Sequence, residues 1–284
     1  MQIQTALNEA AQRFSGISDT GKLDAEVLLC HVLDCSRTYL FTWPDKSLSQ
    51  NQYAEFEKLC RRRDAGEPVA HIVGYRDFWS LSLEVNSSTL IPRPDTERLV
   101  EAALDIALAM KTESNLTPKK GLDLGTGTGA IALALASELP DWQWLGVDYS
   151  EEAVALARRN LVKNEIENCQ FAQSNWFCNL EAVKYDLIVA NPPYIDSNDP
   201  HLNLGDVRFE PRSALIANES GLADIRLIID KARGYLLASA AVVIEHGFTQ
   251  GPRVRSLFAE YGYTGINTVK DLSGNDRVSI GYLK

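Results

Sequence analysis

Apolar residues recur at helical spacing through the first quarter of the chain. Ile3, Leu7, Ala10 and Phe14 fall on one helix face. Gly16 and Ser18-Asp19-Thr20-Gly21 break that pattern, and Leu23, Val27, Leu28, His31 and Val32 resume it. Trp43-Pro44-Asp45 reads as a turn, with Ser47 or Ser49 as the N-cap of the next helix. Tyr53, Phe56, Leu59 and Cys60 supply that helix with its apolar face, and Gly66-Glu67-Pro68 ends it. Residues 1–74 therefore read as a small helical bundle, one that either recognises a partner or packs on the rest of the chain. At 75–90 the period switches to two. Phe78, Ser80 and Ser82 alternate with Trp79, Leu81 and Leu83, and Glu84-Val85-Asn86-Ser87 is the expected turn of a β-hairpin linker.

From residue 91 to 284 strands and helices alternate. Ile91-Pro92-Arg93-Pro94-Asp95-Thr96-Glu97 is a rigid loop, with Asp95 or Thr96 as N-cap of a helix reaching Met110. Arg93, fixed between two prolines, reads as a projecting side chain. A polar loop at 114–120 precedes a strand at Gly121–Leu124, a glycine loop and a helix from Ala130 to Leu139. A strand follows from Trp142 to Val147, then a helix capped by Ser150 and strands at 168–173 and 185–190. Further elements are expected as a helix at 222–238, a strand at 241–245, a helix at 251–261 and strands at 264–270 and 277–283. Such alternation predicts an α/β fold, a doubly wound parallel sheet. The two closely spaced last strands predict an antiparallel hairpin at its edge.

Two stretches carry chemistry. Gly125-Thr126-Gly127-Thr128-Gly129 lets the backbone approach a ligand closely, and a helix N-terminus follows it. Asp148 ends the next strand, where a carboxylate can accept from both hydroxyls of a ribose. A dinucleotide site would want Gly-x-Gly-x-x-Gly, but here the third glycine comes one residue early. Asp123, just before the loop, would repel a pyrophosphate and suits a ligand bearing a sulfonium or ammonium charge. S-adenosyl-L-methionine is thus the expected cofactor, with a nicotinamide dinucleotide as the alternative. Asn191-Pro192-Pro193-Tyr194 follows the apolar strand Tyr185–Ala190. Neither proline can donate, so the chain is held stiffly past the strand end, where open α/β sheets bind ligands. The Asn191 side-chain oxygen and the Pro192 carbonyl can act as two fixed acceptors beside the Tyr194 ring. That suits a planar amino group. Trp176 either packs against an adenine or fills the core.

Composition narrows the partners. The formal charge is −10 over 284 residues, which argues against tight nucleic-acid binding through a broad basic face. Arg61-Arg62-Arg63 reads as a solvated helix end. Cys30, Cys35, Cys60, Cys169 and Cys178 form no Cys-x-x-Cys pair, and the four histidines lack metal-ligand spacing, so no metal is expected. No apolar stretch suits a bilayer span and the N-terminus lacks a signal-peptide pattern. A cytoplasmic protein with no membrane partner is expected.

The chain resembles the protein-glutamine methyltransferases that modify class 1 peptide chain release factors. The residues that carry this are Asp24-Ala25-Glu26-Val27-Leu28-Leu29, Ile91-Pro92-Arg93-Pro94-Asp95-Thr96-Glu97, Asp123-Leu124-Gly125-Thr126-Gly127-Thr128-Gly129, Asn191-Pro192-Pro193-Tyr194-Ile195, Arg208-Phe209-Glu210-Pro211 and Glu245-His246-Gly247. The glycine loop is common to many methyltransferases, and Asn-Pro-Pro-Tyr is shared with enzymes acting on adenine amino groups. The stretches at 91–97 and 208–211 are more particular. The resemblance implies a Rossmann-like class I methyltransferase sheet, 91–284, behind a helical docking domain, 1–74. It implies that Gly125, Thr126, Gly127, Thr128, Gly129, Asp148, Trp176 and Asn191 contact S-adenosyl-L-methionine. It implies that Asn191, Pro192, Pro193 and Tyr194 hold the glutamine of a release factor's Gly-Gly-Gln loop, whose methylation tunes translation termination. Asn175 stands where the family more often has Asp, and Ser239-Ala240 where Gly-Gly is common. The rival readings are an adenine amino-group methyltransferase, a non-catalytic binding module and a nicotinamide oxidoreductase.

Overall fold

In the computed structural model, residues 1–110 and 118–284 are described, so residues 114–117 of the expected polar loop lie outside the described residues. The chain divides into two compact units. One comprises residues 1–75 with 200–209, the other 76–199 with 210–284. Among the described residues no helix is long and apolar enough to cross a membrane.

The first unit holds α1 (Ile3–Phe14), α2 (Gly21–Leu33), α3 (Arg37–Thr42), α4 (Gln50–Asp64) and α5 (Val69–Val73). Ile3, Leu7, Ala10 and Phe14 of α1 are buried as their spacing predicts, with Phe56, Leu59 and Cys60 of α4. Ser49 caps α4 through a reciprocal bond with Gln52. The face of α2 differs from expectation. Leu23 and His31 are exposed, and Asp24, Ala25, Glu26, Leu28 and Leu29 are buried. Arginines make this possible. Arg37 Nη2 reaches Glu26 Oε2 at 2.5 Å, and Arg63 Nε reaches Asp24 Oδ2 at 2.9 Å. Arg63 is therefore buried rather than solvated, while Arg62 pairs with Glu67. Arg63 Nη1 also meets Asp206 Oδ1 at 2.8 Å, so residues 200–209 close on the bundle. Gly66 (φ +88°) makes room there, because a Cβ would lie 1.7 Å from Arg208 Nη2.

The second unit begins with β1 (Tyr75–Phe78) and β2 (Leu81–Glu84), a two-stranded sheet. Its turn is at Trp79-Ser80, not at 84–87. Trp79 takes φ +56°, its N–H donates to Glu97 Oε1 at 2.9 Å and its indole N–H to Glu138 Oε1 at 2.7 Å. Tight hairpin turns need such a positive φ, and tertiary hydrogen bonds hold a bulky residue in it. Further on come α6 (Glu97–Ala109), β3 (Lys119–Leu124), α7 (Ala130–Glu138), β4 (Trp142–Asp148), α8 (Glu151–Lys163), β5 (Cys169–Gln173) and β6 (Tyr185–Ala190). After the short turn α9 (Asn218–Gly221) follow α10 (Ala223–Ala232), β7 (Leu236–Glu245), α11 (Gly251–Glu260), β8 (Thr264–Lys270) and β9 (Asp276–Tyr282).

Strands β3–β9 form one sheet in the order β5-β4-β3-β6-β7-β9-β8, parallel from β5 to β7, with β9 antiparallel to β7 and β8. Residues alternate between two cores. Leu187 and Val189 of β6 join residues of α6, α7 and α8; Ile188 and Ala190 join those of α10 and α11. The helix expected at 222–238 stops at Ala232, and β7 already begins at Leu236. Ala238-Ser239-Ala240 reads as helical by propensity but lies in an irregular, extended stretch. Tyr185 pairs with Leu236 and Leu187 with Ala241, and Ser239 adopts φ +64°. That left-handed backbone suits glycine best.

Two outcomes test this packing. Arg63→Met strands the buried Asp24 carboxylate and is expected to destabilise the first unit by about 3 kcal/mol, seen as faster amide exchange in α2 and α4. Gly146→Ala places a Cβ 2.5 Å from the Phe171 ring and 2.7 Å from Thr126 Oγ1. A loss of about 1–3 kcal/mol is expected in chemical denaturation.

Candidate active site

β3 lies between β4 and β6, so the chain leaves the sheet in opposite directions on either side of it. Ligands bind at such a reversal, beyond the C-terminal strand ends. Gly125 and Thr126 turn the chain there, each N–H donating to Val147 O at 2.9 Å. Gly125, Gly127 and Gly129 all have positive φ. At Gly129 a Cβ would also press on Phe171, Leu133 and Ala157 at 3.0–3.2 Å, whereas at Gly127 it would meet only Thr89 Cβ, at 3.9 Å. Asp148, ending β4, ties itself to the loop. Its Oδ2 accepts from Gly127 N and its Oδ1 from Ser150 N, both at 2.9 Å. Burial raises its pKa while these backbone bonds oppose the rise.

The loop, Asp148 and Asn191 share a pocket of about 380 Å³. Gly125, Gly127, Thr126, Thr128, Trp176 and Pro193 also line it; Gly129, Pro192 and Tyr194 are not among its lining residues. Trp176 packs on the second core and also lines the pocket. Its backbone is left-handed at φ +50°, and its side chain favours the ionised form of Asp224, another wall residue, whose pKa burial raises. Among the described residues, the wall contains no Lys, Arg or His.

Three expectations are corrected. Asp123 does not face the pocket. It is fully buried beneath the loop, where Oδ2 accepts from Thr126 Oγ1 at 2.6 Å and Oδ1 meets no donor. Burial pushes its pKa up to about 7. It shapes the loop from below, because β3 turns its odd-numbered side chains away from the ligand. Arg93 does not project freely; Nη2 meets Glu210 Oε2 at 2.6 Å, and Glu210 Oε1 accepts from Ile91 N at 3.1 Å. This pairing joins the two most family-specific stretches, 91–97 and 208–211. Neither Asp95 nor Thr96 caps α6 with its side chain. The buried Thr96 hydroxyl instead accepts from Asn191 Nδ2 at 3.2 Å.

Sequence reading missed Thr89 and Asp224, and quoted Glu245 within Glu245-His246-Gly247 without giving it a place in the site. Thr89 and Asp224 stand in the wall, and Thr89 Oγ1 is buried without a hydrogen-bond partner. Glu245 ends β7 next to the end of β6, and Tyr194 Oη approaches its Oε1 at 3.4 Å. An acidic residue closing an apolar strand was the available signal for it.

Comparison with known proteins places this geometry. The PrmC N-terminal domain model matches residues 5–74, and the methyltransferase small domain model matches 102–216. The release factor glutamine methyltransferase of Vibrio cholerae is 55% identical over 285 residues, covering 99% of this chain and 97% of that one. That of Aliivibrio fischeri is 54% identical, covering 93% and 91%. That of Escherichia coli is 47% identical, covering 99% of each. Among solved structures, the hMettl16 catalytic domain superposes with a TM-score of 0.55 at 14% identity, covering 83% of this chain and 81% of that one. The methyltransferase RsmC of T. Thermophilus, solved with AdoMet and guanosine, gives 0.51 at 17% identity over 74% and 50%. These distant structures share the class I methyltransferase fold. By its full-length relatives, the chain belongs to the release factor glutamine methyltransferase family.

Proposed function

We propose that the protein transfers a methyl group from S-adenosyl-L-methionine to the side-chain amide nitrogen of the glutamine in the Gly-Gly-Gln loop of class 1 peptide chain release factors. The observation that carries this is the junction of the glycine loop, Asp148 and Asn191 at one pocket. Family membership supports the substrate. The helical segment 1–74 is proposed to dock the factor, with 75–90 as linker to the methyltransferase domain, 91–284.

The pocket suits this cofactor better than a dinucleotide. Its wall offers two carboxylates, Asp148 and Asp224, and no basic side chain for a pyrophosphate. Gly127 adds no side chain to the pocket wall, where a Cβ would meet only Thr89 at 3.9 Å, so a ligand can approach its backbone. Asp148 would accept from the ribose hydroxyls, Trp176 would pack on the adenine, and Gly125, Thr126, Gly127 and Thr128 would form the floor, with Gly129 supporting the turn from outside the pocket. When bound, S-adenosyl-L-methionine supplies an electrophilic methyl group on sulfonium.

The chain's own residues then make the amide nitrogen a better nucleophile. That lone pair is normally shared with the carbonyl. Asn191 Oδ1 and the Pro192 carbonyl would accept its two N–H bonds, favouring a pyramidal nitrogen and stabilising the charge that develops. Tyr194 would fix the amide plane, and Pro192 and Pro193 hold the whole turn stiff. A protonated amide is a strong acid, so no buried base is required for the last proton.

Purified protein with methyl-labelled cofactor is expected to label a class 1 release factor and to leave the Gln→Ala variant of its Gly-Gly-Gln loop unlabelled. Label on both would refute the target residue. Asn191→Ala is expected to lower turnover by about 100-fold with cofactor affinity changed less than about threefold. Asp148→Asn should do the reverse, weakening cofactor binding by about tenfold in calorimetric titration.

A further inference from the structure

Two stretches reach the Asn191–Tyr194 turn without a part in the proposed chemistry. One is Glu245-His246-Gly247 with the residues that lead from it into α11; the other is the short turn α9. Both meet the side chain of Gln250. We infer that Gln250 is a positioning residue for methyl transfer, whose side-chain amide pins the Asn191–Tyr194 turn by its last carbonyl. The inference rests on the proposed reading of that turn as the grip on the substrate amide.

The hydrogen bonds of one amide carry it. Gln250 Nε2 donates to Tyr194 O at 3.0 Å and to Ser220 O at 3.1 Å, while Oε1 accepts from Gly247 N at 2.8 Å. All three partners are backbone groups. A carbonyl only accepts and a backbone N–H only donates, so this amide fits one way round. Its main chain is fixed as well. Gln250 N donates to Gly247 O at 2.9 Å, and Gln250 O accepts from Val254 N at 3.0 Å in the first turn of α11. The pin therefore stands on a helix start rather than on a free loop.

The backbone around the pin is shaped to meet it. Glu219 and Ser220 take φ +54° and +55°, two left-handed residues in succession, and Gly221 follows at +80°. Such a run is unfavourable for residues with side chains and persists where its surroundings hold it. It sets Ser220 O within reach of the nitrogen that also holds Tyr194 O. Only glycine suits position 221, because a Cβ would lie 2.0 Å from Tyr194 O and 2.7 Å from Gln250 Nε2. Ala190 of β6 pairs with Ile244 of β7, so the turn and Gly247 follow neighbouring strand ends. Beyond the turn, Ile195 N donates to Leu215 O at 2.9 Å and Ile195 O accepts from Ala217 N at 3.0 Å. Prolines stiffen the turn on one side and this bridge ties the chain on the other. Gln250 holds the peptide between them. Freed, that peptide can rotate, and the Tyr194 ring and the Pro192 carbonyl lose their fixed relation to the substrate amide.

The test is steady-state methylation of a purified class 1 release factor by folded variants, with cofactor affinity measured separately. Gln250→Met keeps the shape of the side chain and removes its hydrogen bonds. It is expected to lower kcat by about 10–100-fold, with cofactor Kd and release-factor KM within about threefold. Gln250→Glu keeps an acceptor for Gly247 N but sets oxygen against two carbonyl oxygens, so kcat should fall at least as far. Gln250→Met added to Asn191→Ala should cost no more than about threefold further, because both act through one grip. Wild-type kcat in Gln250→Met, a loss of cofactor affinity as large as the loss of kcat, or multiplicative losses in the double variant would each overturn the assignment. If Gln250→Met does not fold, Gln250→Glu decides by the same kcat, KM and Kd criteria. Full turnover by Asn191→Ala would refute the reading of the site itself, whereas loss there with wild-type kcat in Gln250→Met would refute only the pin.

Discussion

The parallel pairing of β3 with β6 is the constraint on which the site rests. Gly121 pairs with Leu187 and Leu124 with Ala190, so both strands end together. Gly125 and Asn191 then leave the sheet side by side although 66 positions separate them in the sequence. Each strand is buried on both faces, and a shift by one residue would move Leu187 and Val189 into the wrong core. Apolar packing on two faces thus sets the distance between the glycine loop and the Asn191–Tyr194 turn.

Around that pairing, buried acids shape the site more than exposed ones do. Asp123 holds Thr126 from below, Asp148 holds Gly127 from the side, and Glu210 holds Ile91 and Arg93 on the loop above. Each carboxylate accepts from a neighbour on the loops at the strand ends. Desolvation disfavours the charge on Asp123 and Asp148 and hydrogen bonds oppose it; the result is a rigid rim whose parts come from distant stretches. The first unit uses the same device for packing. Arg63 draws Asp24 into the bundle and Asp206 onto it, so a segment that follows Asn191 in sequence belongs to the helical unit.

The residues that name the chemistry were legible because each is fixed by local backbone demands. Glycines at 125, 127 and 129 answer a need for positive φ, prolines at 192 and 193 stiffen a strand end, and a continuous apolar run marks β6. The alternating α/β pattern and the apolar spacing of α1 and α4 likewise follow from the chain alone. What misled was local inference about groups whose partners are remote. Leu23 and Val27 outrank Asp24 and Glu26 on any apolar scale, yet the acids are buried because Arg63 and Arg37 reach them. Trp79 makes an unlikely turn residue until Glu97 and Glu138 are brought beside it. Ala238-Ser239-Ala240 favours a helix until the neighbouring strands compel extension.

Sequence by itself determined the class of fold, the glycine loop, Asp148 and the Asn191–Tyr194 turn, because periodicity and φ preferences are properties of neighbouring residues. Only the tertiary structure decided that Asp123 lies beneath the loop rather than in the pocket, and that Arg93 is tied to Glu210. It also decided that Thr96 serves Asn191 instead of capping its own helix. The reason is physical: a buried polar group must find its partner, and the sheet, not the chain, determines which partner is within reach.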